Sequence, residues 1–314
     1  MLRRACSIFS ETMRLLLCLS AWILAAGLGA AQETKAVDKN PGHLKMALVN
    51  IRCVTSAGAD SEANKANIQA NLKRHVYFID RAVNEGAEFV GFPELSINGY
   101  NFSATMSWLR LDGPEVKMLR DKAAEKGVYI SAGLAEEDRD GKKWNTQIVI
   151  DPKGEIIVAH HKTDLTKEKG FVEIGAAHEV FAVKGTKMGI TICAEGSFQK
   201  NLQVLADGGA RIIYGPHANT TGGTIAGWYK FRAPWSEPNG WIAQLKITAA
   251  IHNHAGLYNP EFDPPSGNAA NSGWASGAWF IGPDGQTFAQ MPASTQKGDS
   301  KEFVLIYNVP ISGR

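Results

Sequence analysis

The stretch 183–217, VKGTKMGITICAEGSFQKNLQVLADGGARIIYGPH, constrains the fold more than any other part of the chain. Residues 188–192 form a short apolar run behind the turn residue Gly185, which is typical of a buried strand. After Cys193, apolar residues recur at helical spacing until Gly208, and residues 212–214 form the next apolar run. The pattern predicts strand, sharp turn, helix and strand, and therefore an α/β protein.

Cys193 lies where the first predicted strand turns into the helix. The free backbone N–H groups at such a turn can receive an oxyanion, so the position suits a nucleophile. A buried structural cysteine is the commoner fate of this residue type. This stretch alone leaves both interpretations open.

Length and composition limit the remaining choices. The chain has 314 residues, of which 44% are hydrophobic, and this is enough to bury a full core. Its formal net charge is +2, and the sequence contains no dense Lys/Arg run. Nucleic acid is therefore excluded as an expected partner.

The amino terminus has the pattern of a signal peptide. Arg3, Arg4 and Arg14 precede the apolar run 15–30, which ends in small residues near Ala31. A membrane anchor is the alternative, but the run is short for a span. We expect a periplasmic or secreted protein with no membrane association after cleavage.

The predicted domain organisation is a signal peptide at 1–31, a linker at 32–42 and one domain at 43–314. Cleavage leaves two cysteines, Cys53 and Cys193, which is too few for a disulfide scaffold. A disulfide between them is an alternative that would silence the nucleophile.

The first part of the domain predicts a β-α-β unit. Residues 43–54 read as a strand, and residues 89–92 as a second one ending in Pro93-Glu94-Leu95. Between them, apolar residues follow helical spacing, namely Ile68, Leu72, Val76, Ile79 and Val83. Glu94 thus stands at the carboxyl end of a strand, where catalytic groups gather in open α/β sheets.

Two later segments each consist of a strand, a turn that contains Asp-Pro or Pro-Asp, and a second strand. Residues 145–161 turn at 151–154 and end immediately before Lys162, and residues 278–291 turn at 282–285. A helix is predicted at 114–126, and further strands are predicted at 128–134 and 303–309. We interpret the two similar segments as hairpins in two stacked sheets.

Three strand ends therefore carry Glu94, Lys162 and Cys193. Attack of a thiol on an amide carbon needs a base, a positive charge for the oxyanion and an acid for the leaving amine. A carboxylate, an ammonium and a thiol meet these needs. Taken singly, Glu94 as a helix cap and Lys162 as a surface lysine are the simpler interpretations; their joint placement, at strand ends that could share one sheet edge, favours catalysis.

The chain resembles the nitrilase superfamily of carbon–nitrogen hydrolases. The segments 91–95, 161–165 and 189–195 match the family's base, lysine and nucleophile motifs in family order. The segments 145–154 and 209–216 also match, and the resemblance spans roughly residues 45–310.

The resemblance implies a four-layer α-β-β-α sandwich and a Glu-Lys-Cys triad with a thioester intermediate. Glu94 would be the base and then the acid, Cys193 the nucleophile and Lys162 the electrostatic stabiliser, with the backbone N–H of Ala194 as a second oxyanion donor. The segment 168–175 matches a family pattern that assigns a second glutamate to Glu168, with Glu173 as the alternative.

The resemblance also bears on the substrate. True nitrilases usually have tryptophan after the nucleophile, where this chain has Ala194, and carbamoylases tend to place arginine where it has Ser197. An amide-type small molecule remains the expected substrate. His217 and Asn219 follow the strand after the nucleophile helix, where the family lines its pocket, and packing is the alternative for both.

The histidine spacings do not predict a metal site. His160 and His161 are adjacent, and His252 and His254 are two apart, so neither pair resembles a zinc motif. We expect no metal and no cofactor. Trp228, Tyr229, Arg232 and Trp235 are predicted to lie in a broken helix or loop. They either shape an apolar site with one cation for a carboxylate, or serve as packing or as an oligomer interface.

The expected function is an exported thiol hydrolase that cleaves a non-peptide C–N bond. The alternatives are an acyltransferase using the same thioester, a papain-like protease pairing Cys193 with His217 or His252, and a non-catalytic binding module on the same scaffold. A homodimer or larger homo-oligomer is expected from the resemblance.

Overall fold

The computed structural model describes residues 42–55, 61–100, 106–166, 168–220, 224–256, 274–295 and 301–311. The predicted signal peptide at 1–31 and nearly all of the linker at 32–42 lie outside these ranges. None of the helices within the ranges combines the length and apolar character that crossing a bilayer requires.

Two six-stranded sheets form the centre of the protein. The strands of the first sheet are β1 His43–Asn50, β2 Phe89–Gly91, β3 Tyr129–Glu137, β4 Lys143–Ile150, β5 Ile156–His161 and β12 Phe303–Pro310. Those of the second are β6 Val180–Val183, β7 Thr186–Ile190, β8 Ile212–Pro216, β9 Thr248–His252, β10 Ala278–Ile281 and β11 Thr287–Gln290. The strand orders are β12-β1-β2-β3-β4-β5 and β11-β10-β9-β8-β7-β6.

Helices cover the sheets. They are α1 Ser61–Asn84, α2 Pro114–Lys126, α3 Gln199–Asp207, α4 Ile225–Ser236 and α5 Trp241–Leu245, with a 3-10 helix at Cys193–Ser197. In β1, Leu44, Met46 and Leu48 belong to the core that includes the second sheet, whereas Ala47 and Val49 belong to the core with α1 and α2. This alternation is the period-2 pattern of a strand buried on both faces. The α-β-β-α sandwich is confirmed.

The topology also confirms the local predictions. β1 and β2, which precede and follow α1 in the sequence, pair in parallel, as a β-α-β unit requires. The two predicted hairpins are β4–β5 in the first sheet and β10–β11 in the second.

Three local predictions were wrong or incomplete. The first strand ends at Asn50, not at residue 54, because the backbone N–H of Val54 donates to the Asn71 side chain of α1 instead of a neighbouring strand. The segment 225–236, read as a broken helix or loop, is a helix whose start is capped by the Thr224 hydroxyl, which accepts from the Gly227 N–H. Strands β6 and β9 were not predicted.

Candidate active site

Cys193 is the third residue of the cysteine turn, which we define as residues 191–197 between β7 and α3. Its φ is +47°, in the left-handed region that a non-glycine residue adopts only at a cost of about 1–3 kcal/mol. The side chain of Glu195 folds back to accept the N–H of Ile192 at 2.6 Å, which holds the turn closed. Ala194 lies in the first turn of the 3-10 helix, where backbone N–H groups have no partner inside the helix.

Glu94 follows β2 and is fully buried. Its Oε1 accepts from Lys162 Nζ at 2.7 Å and from Asn145 Nδ2 at 2.8 Å, and its Oε2 accepts from the N–H of Ala218 at 2.9 Å. The next residue, Leu95, also has a positive φ, +53°. The carboxylate is thus held by three donors at a strained turn.

Lys162 follows β5 and is 1% exposed. Besides Glu94, its ammonium donates to Glu168 Oε1. The other oxygen of Glu168 accepts from the backbone and hydroxyl of Thr166, at 3.1 and 2.9 Å, and from Tyr100. Glu173, the alternative second glutamate, is exposed. The structure therefore brings Glu168, not Glu173, onto the lysine.

The two carboxylates differ in their electrostatics. Burial raises the pKa of Glu94, and this outweighs the lowering by Lys162. Burial also raises the pKa of Glu168, but there the Lys162 ammonium dominates and lowers it to about 2. For Lys162, burial lowers the pKa, yet Glu94 and Glu168 raise it above its ordinary value. Glu168 is thus the permanent anion, and Glu94 is the carboxylate suited to exchange a proton.

The Cys193 thiol is neutral at rest. Burial raises its pKa to about 12, Glu94 adds to this, and the charges of Lys162 and Arg232 act against it. Its Sγ lies 3.9 Å from the carbonyl oxygen of Ala218. A thiol in this state needs a base before it can attack, because the thiolate is the nucleophile.

The three predicted catalytic residues come from two sheets, and the prediction that they share a single sheet edge is wrong. Glu94 and Lys162 follow strands of the first sheet, whereas Cys193 follows β7 of the second. The sheets approach closely here: the Tyr214 hydroxyl of β8 donates to the carbonyl of Phe92 at 2.7 Å. A Cβ at position 91 would lie 2.7 Å from the Tyr214 ring, so Gly91 permits this approach.

His217 lies behind the cysteine turn. It is fully buried, its Nδ1–H donates to the carbonyl of Gly215 at 2.9 Å, and its Nε2 accepts from Arg232 at 2.7 Å. Burial, together with Arg232, holds its pKa well below the ordinary value. Both ring nitrogens are therefore engaged by protein, and His217 acts on the site through Arg232. Its predicted contact with substrate has no support in this arrangement.

Asn219 lies closer to the sulfur. Its Nδ2 is 3.9 Å from Cys193 Sγ, and its main chain is held by the side chain of Asn253 at 3.0 and 2.8 Å. The structure therefore brings Asn219 to the Cys193 sulfur, as the predicted substrate-binding role requires.

The other histidine considered as a base for Cys193 is also committed elsewhere. His252 Nδ1 bonds the carbonyl of Val49 at 3.0 Å, and its Nε2 bonds the Tyr214 hydroxyl at 2.8 Å. Burial lowers its pKa to about 3. With His217 and His252 both occupied, a papain-like Cys-His pair does not fit.

A histidine–glutamate cluster supports the cysteine turn. His160, His178 and Glu195 place one ligand atom each within 4.8 Å of one another, although their sequence spacing does not resemble a metal motif. The Glu195 carboxylate accepts from His160, from the backbone and hydroxyl of Thr163, and from Ile192. These donors occupy the lone pairs that a metal ion would need, so the cluster ties the segment after β5 to the cysteine turn.

A cavity of about 740 Å³ opens beside Ala194. It is lined by Thr163, Asp164, Leu165, Thr166, Lys169, Gly170, Val172, Glu173, Ile174, Ala194, Ser197 and Phe198. Its lining mixes apolar side chains with a cation and two carboxylates. A cavity of this size accommodates a small molecule next to the cysteine turn.

Sequence reasoning missed two contributors, Asn145 and Ala218, and the contacts of a third, Arg232. Asn145 bridges the two glutamates, donating to Glu94 at 2.8 Å and to Glu168 at 3.2 Å. The backbone of Ala218 binds Glu94, and Arg232 binds the cysteine turn. The only available signal was for Asn145, which begins a segment that matches the nitrilase superfamily.

Comparison with known proteins identifies similar sequences. Residues 53–259 match the carbon-nitrogen hydrolase family. A nitrilase of Pyrococcus abyssi is 34% identical over 153 residues, which are 46% of this chain and 58% of that protein. An omega-amidase of Xenopus laevis, NIT2-A, is 28% identical over 159 residues, 47% of this chain and 58% of that protein. The chain thus spans little more than half the length of these relatives.

Solved structures show the same fold. An amidase of the nitrilase superfamily from Nesterenkonia AN1 superposes with a TM-score of 0.66 at 20% identity, over 86% of this chain and 91% of that one. In another structure of that amidase, the acetamide moiety of fluoroacetamide is added covalently at the active-site cysteine. At 20% sequence identity, this structural similarity establishes the fold of the chain and not its activity.

Proposed function

The chain belongs to the carbon-nitrogen hydrolase family, and on that premise we propose that it hydrolyses the amide-type C–N bond of a small molecule through a thioester on Cys193. The observation that carries the proposal is the buried ion cluster of Glu94, Lys162 and Glu168, in which the charges of Glu94 and Lys162 act on the Cys193 thiol. Burying a lysine between two carboxylates is costly, so its presence at a cysteine turn favours a catalytic use.

The first half-reaction forms the thioester. Glu94 takes the proton of Cys193, and the sulfur attacks the amide carbon to give a tetrahedral oxyanion. The Lys162 ammonium and the N–H of Ala194 receive that oxyanion. Glu94, whose pKa is raised by burial, then gives the proton to the departing amine, and the C–N bond breaks.

The second half-reaction releases the acid. Glu94 is ionised again and takes a proton from a water molecule, which attacks the thioester carbon. Collapse of the second tetrahedral intermediate breaks the C–S bond, and the sulfur leaves as a thiol with the proton held by Glu94. Glu168 keeps Lys162 charged and in place throughout.

Ala194 favours an amide over a nitrile, because true nitrilases usually carry tryptophan at this position. The relatives carry both names, nitrilase and omega-amidase. An acyltransferase would use the same thioester with an amine in place of water.

The deciding experiment is intact-mass spectrometry after incubation with a mixture of small amides, carbamoyl compounds and nitriles. We expect an acyl adduct that maps to Cys193 in the wild type or in Glu94→Gln, and its mass gives the acyl half of the substrate. A new amide formed from added primary amine would identify a transferase instead. An alkylatable Cys193 that gains no adduct, with no compound hydrolysed, would contradict the proposal.

Export and self-association are further parts of the proposal. The intact mass of protein made with its amino terminus tests the first: we expect residues 1–31 to be absent from the exported form. Light scattering of that form tests the second, with a dimer or larger assembly as the expected result.

Gly133→Ala is expected to reduce turnover by about 100-fold or more. A Cβ at position 133 would lie 2.2 Å from the backbone N of Leu95 and 2.9 Å from the carbonyl carbon of Glu94. The turn that carries the base must therefore shift, and small misplacements of a catalytic group have effects of this size. Gly141→Ala is the control: a Cβ there meets nothing within 4 Å, and the backbone strain that its φ of +77° imposes is confined to the exposed turn between β3 and β4. Equal kcat values for both variants would contradict the prediction.

A further inference from the structure

Arg232 is a buried cation that the proposed mechanism does not use. It is 2% exposed, and its guanidinium donates to the carbonyls of Gly196 at 2.8 Å and Cys193 at 2.9 Å, to the Ser197 hydroxyl at 3.3 Å and to His217 at 2.7 Å. All four partners are uncharged. Within the described ranges of the chain, no carboxylate forms an ion pair with Arg232.

The charges of the buried ionisable groups around Cys193 explain what an additional cation contributes. With both carboxylates ionised, Glu94, Lys162 and Glu168 sum to −1, and Arg232 brings the total to zero. When the Cys193 proton moves to Glu94, the total is unchanged, because the carboxylate becomes neutral as the sulfur becomes negative. The negative charge has then moved from the ion cluster to the cysteine turn, where Arg232 lies.

We propose that Arg232 is a positioning residue and the counter-ion of the Cys193 thiolate. Its guanidinium N–H groups hold the carbonyl of Cys193 in the left-handed turn, and its positive charge is balanced by the negative charge of the sulfur once the thiol has lost its proton. This rests on the proposed function only in taking Cys193 as the nucleophile. It also corrects the expectation that Arg232 offers a cation to a substrate carboxylate, since the guanidinium is directed at the turn.

The surrounding titratable groups are consistent with this role. Burial lowers the pKa of Arg232 to about 10, and the charge of Cys193 acts in the opposite direction. Around the sulfur, Glu94 raises the thiol pKa, whereas Lys162 and Arg232 lower it. Lys162 already has two carboxylate partners, so Arg232 is the cation whose charge is not offset at rest. Nearby, Tyr100 has its pKa raised by burial, and the low pKa of His217 keeps it neutral.

The test measures the alkylation of Cys193 by iodoacetamide, a neutral reagent, between pH 7 and 10 in a Cys53→Ala background. Below the thiol pKa the rate is proportional to the thiolate fraction, so each unit of pKa is a tenfold change in rate. Arg232→Met is expected to slow alkylation about 10- to 100-fold at every pH, as loss of a charge close to the sulfur raises its pKa by one to two units.

Trp235→Phe is the matched control. Trp235 Nε1 donates to the same Gly196 carbonyl at 3.0 Å but carries no charge. We expect its alkylation rate to stay within threefold of the parent. A folded Arg232→Met variant that also stays within threefold would overturn the proposal.

Arg232→Lys separates charge from geometry and serves if the methionine variant does not fold. The lysine ammonium retains the positive charge but cannot make the paired hydrogen bonds of the guanidinium. Alkylation should therefore stay near the parental rate, while kcat on the substrate falls at least tenfold. Alkylation slowed tenfold or more in Arg232→Lys would contradict the counter-ion role. If the thiol results hold and no amide is hydrolysed, the inference about Arg232 stands and the proposed function fails.

Discussion

Replacing Cys193 by alanine is expected to abolish hydrolysis, with a loss of at least about 10⁴-fold in kcat, while the protein stays folded. The thioester cannot form without the sulfur, and removal of a covalent nucleophile leaves only the residual rate that binding and oxyanion donors supply. Within the described residues, the hydrogen bonds of the sulfur are long, at 3.9 Å to Ala218 and Asn219, so the fold loses little. Turnover and urea unfolding of the same preparation measure both effects.

The chain provides a matched control in Cys53. It is the other free cysteine of the described residues, its thiol donates to the carbonyl of Ser96 at 3.1 Å, and the charges that act on it are those of Glu302 and Arg74. Burial raises the pKa of Cys53, as it does for Cys193. Cys53→Ala should keep kcat within about twofold. Hydrolysis that survives in Cys193→Ala and disappears in Cys53→Ala would reverse the assignment of the nucleophile.

Lys162→Met is expected to lower both activity and stability. Its ammonium is the partner of Glu94 and Glu168, and removing one member of a buried ion pair costs about 3–5 kcal/mol because the remaining charge stays buried. Loss of an oxyanion donor should reduce kcat by about 100- to 1,000-fold. The measurements are urea denaturation and turnover at pH 7.

The pH dependence of the loss of stability in Lys162→Met identifies the cause of that loss. Without Lys162, the pKa values of Glu94 and Glu168 rise above their unfolded values because burial and mutual repulsion favour the neutral forms. Groups with raised pKa values contribute stability below the unfolded pKa and lose it as the pH rises. The deficit of Lys162→Met should therefore shrink between pH 7 and pH 5.

A double variant gives the matching control. Lys162→Met with Glu168→Gln removes one charge of each sign and leaves Glu94 as the single buried carboxylate, so part of the lost stability should return at pH 7 while activity stays low. A stability deficit in Lys162→Met that is independent of pH, or that persists fully in the double variant, would show that lost packing and not the buried charge is responsible.

Local patterns predicted much of this protein. The alternation of apolar residues and turn signals indicated the β-α-β unit, both hairpins and the strand–turn–helix at Cys193, because these features depend on neighbours in the sequence. The signals were weaker where long-range contacts decide the conformation. The first strand ends early because Asn71 of α1 takes the N–H of Val54.

The candidate site likewise combines features that depend on neighbours in the sequence with features that depend on long-range contacts. The motifs pointed to Glu94, Lys162, Cys193 and Glu168, and the structure brings the ion cluster together around Lys162. The spacing of the motifs gave no indication that Arg232, some forty residues after Cys193, would bind its carbonyl. Nor did it indicate that both ring nitrogens of His217 would be occupied by protein.

The sequence by itself determined which residue types stand at the ends of which strands, because strand and turn propensities act over a few residues. Only the tertiary structure decided that these ends belong to two sheets whose stacking closes the site. That stacking removes Glu94, Lys162 and Cys193 from water. Burial raises the pKa of both carboxylates; it prevails at Glu94, whereas the Lys162 ammonium prevails at Glu168. Charges and pKa values depend on distances and solvent access, which contacts between distant parts of the chain create.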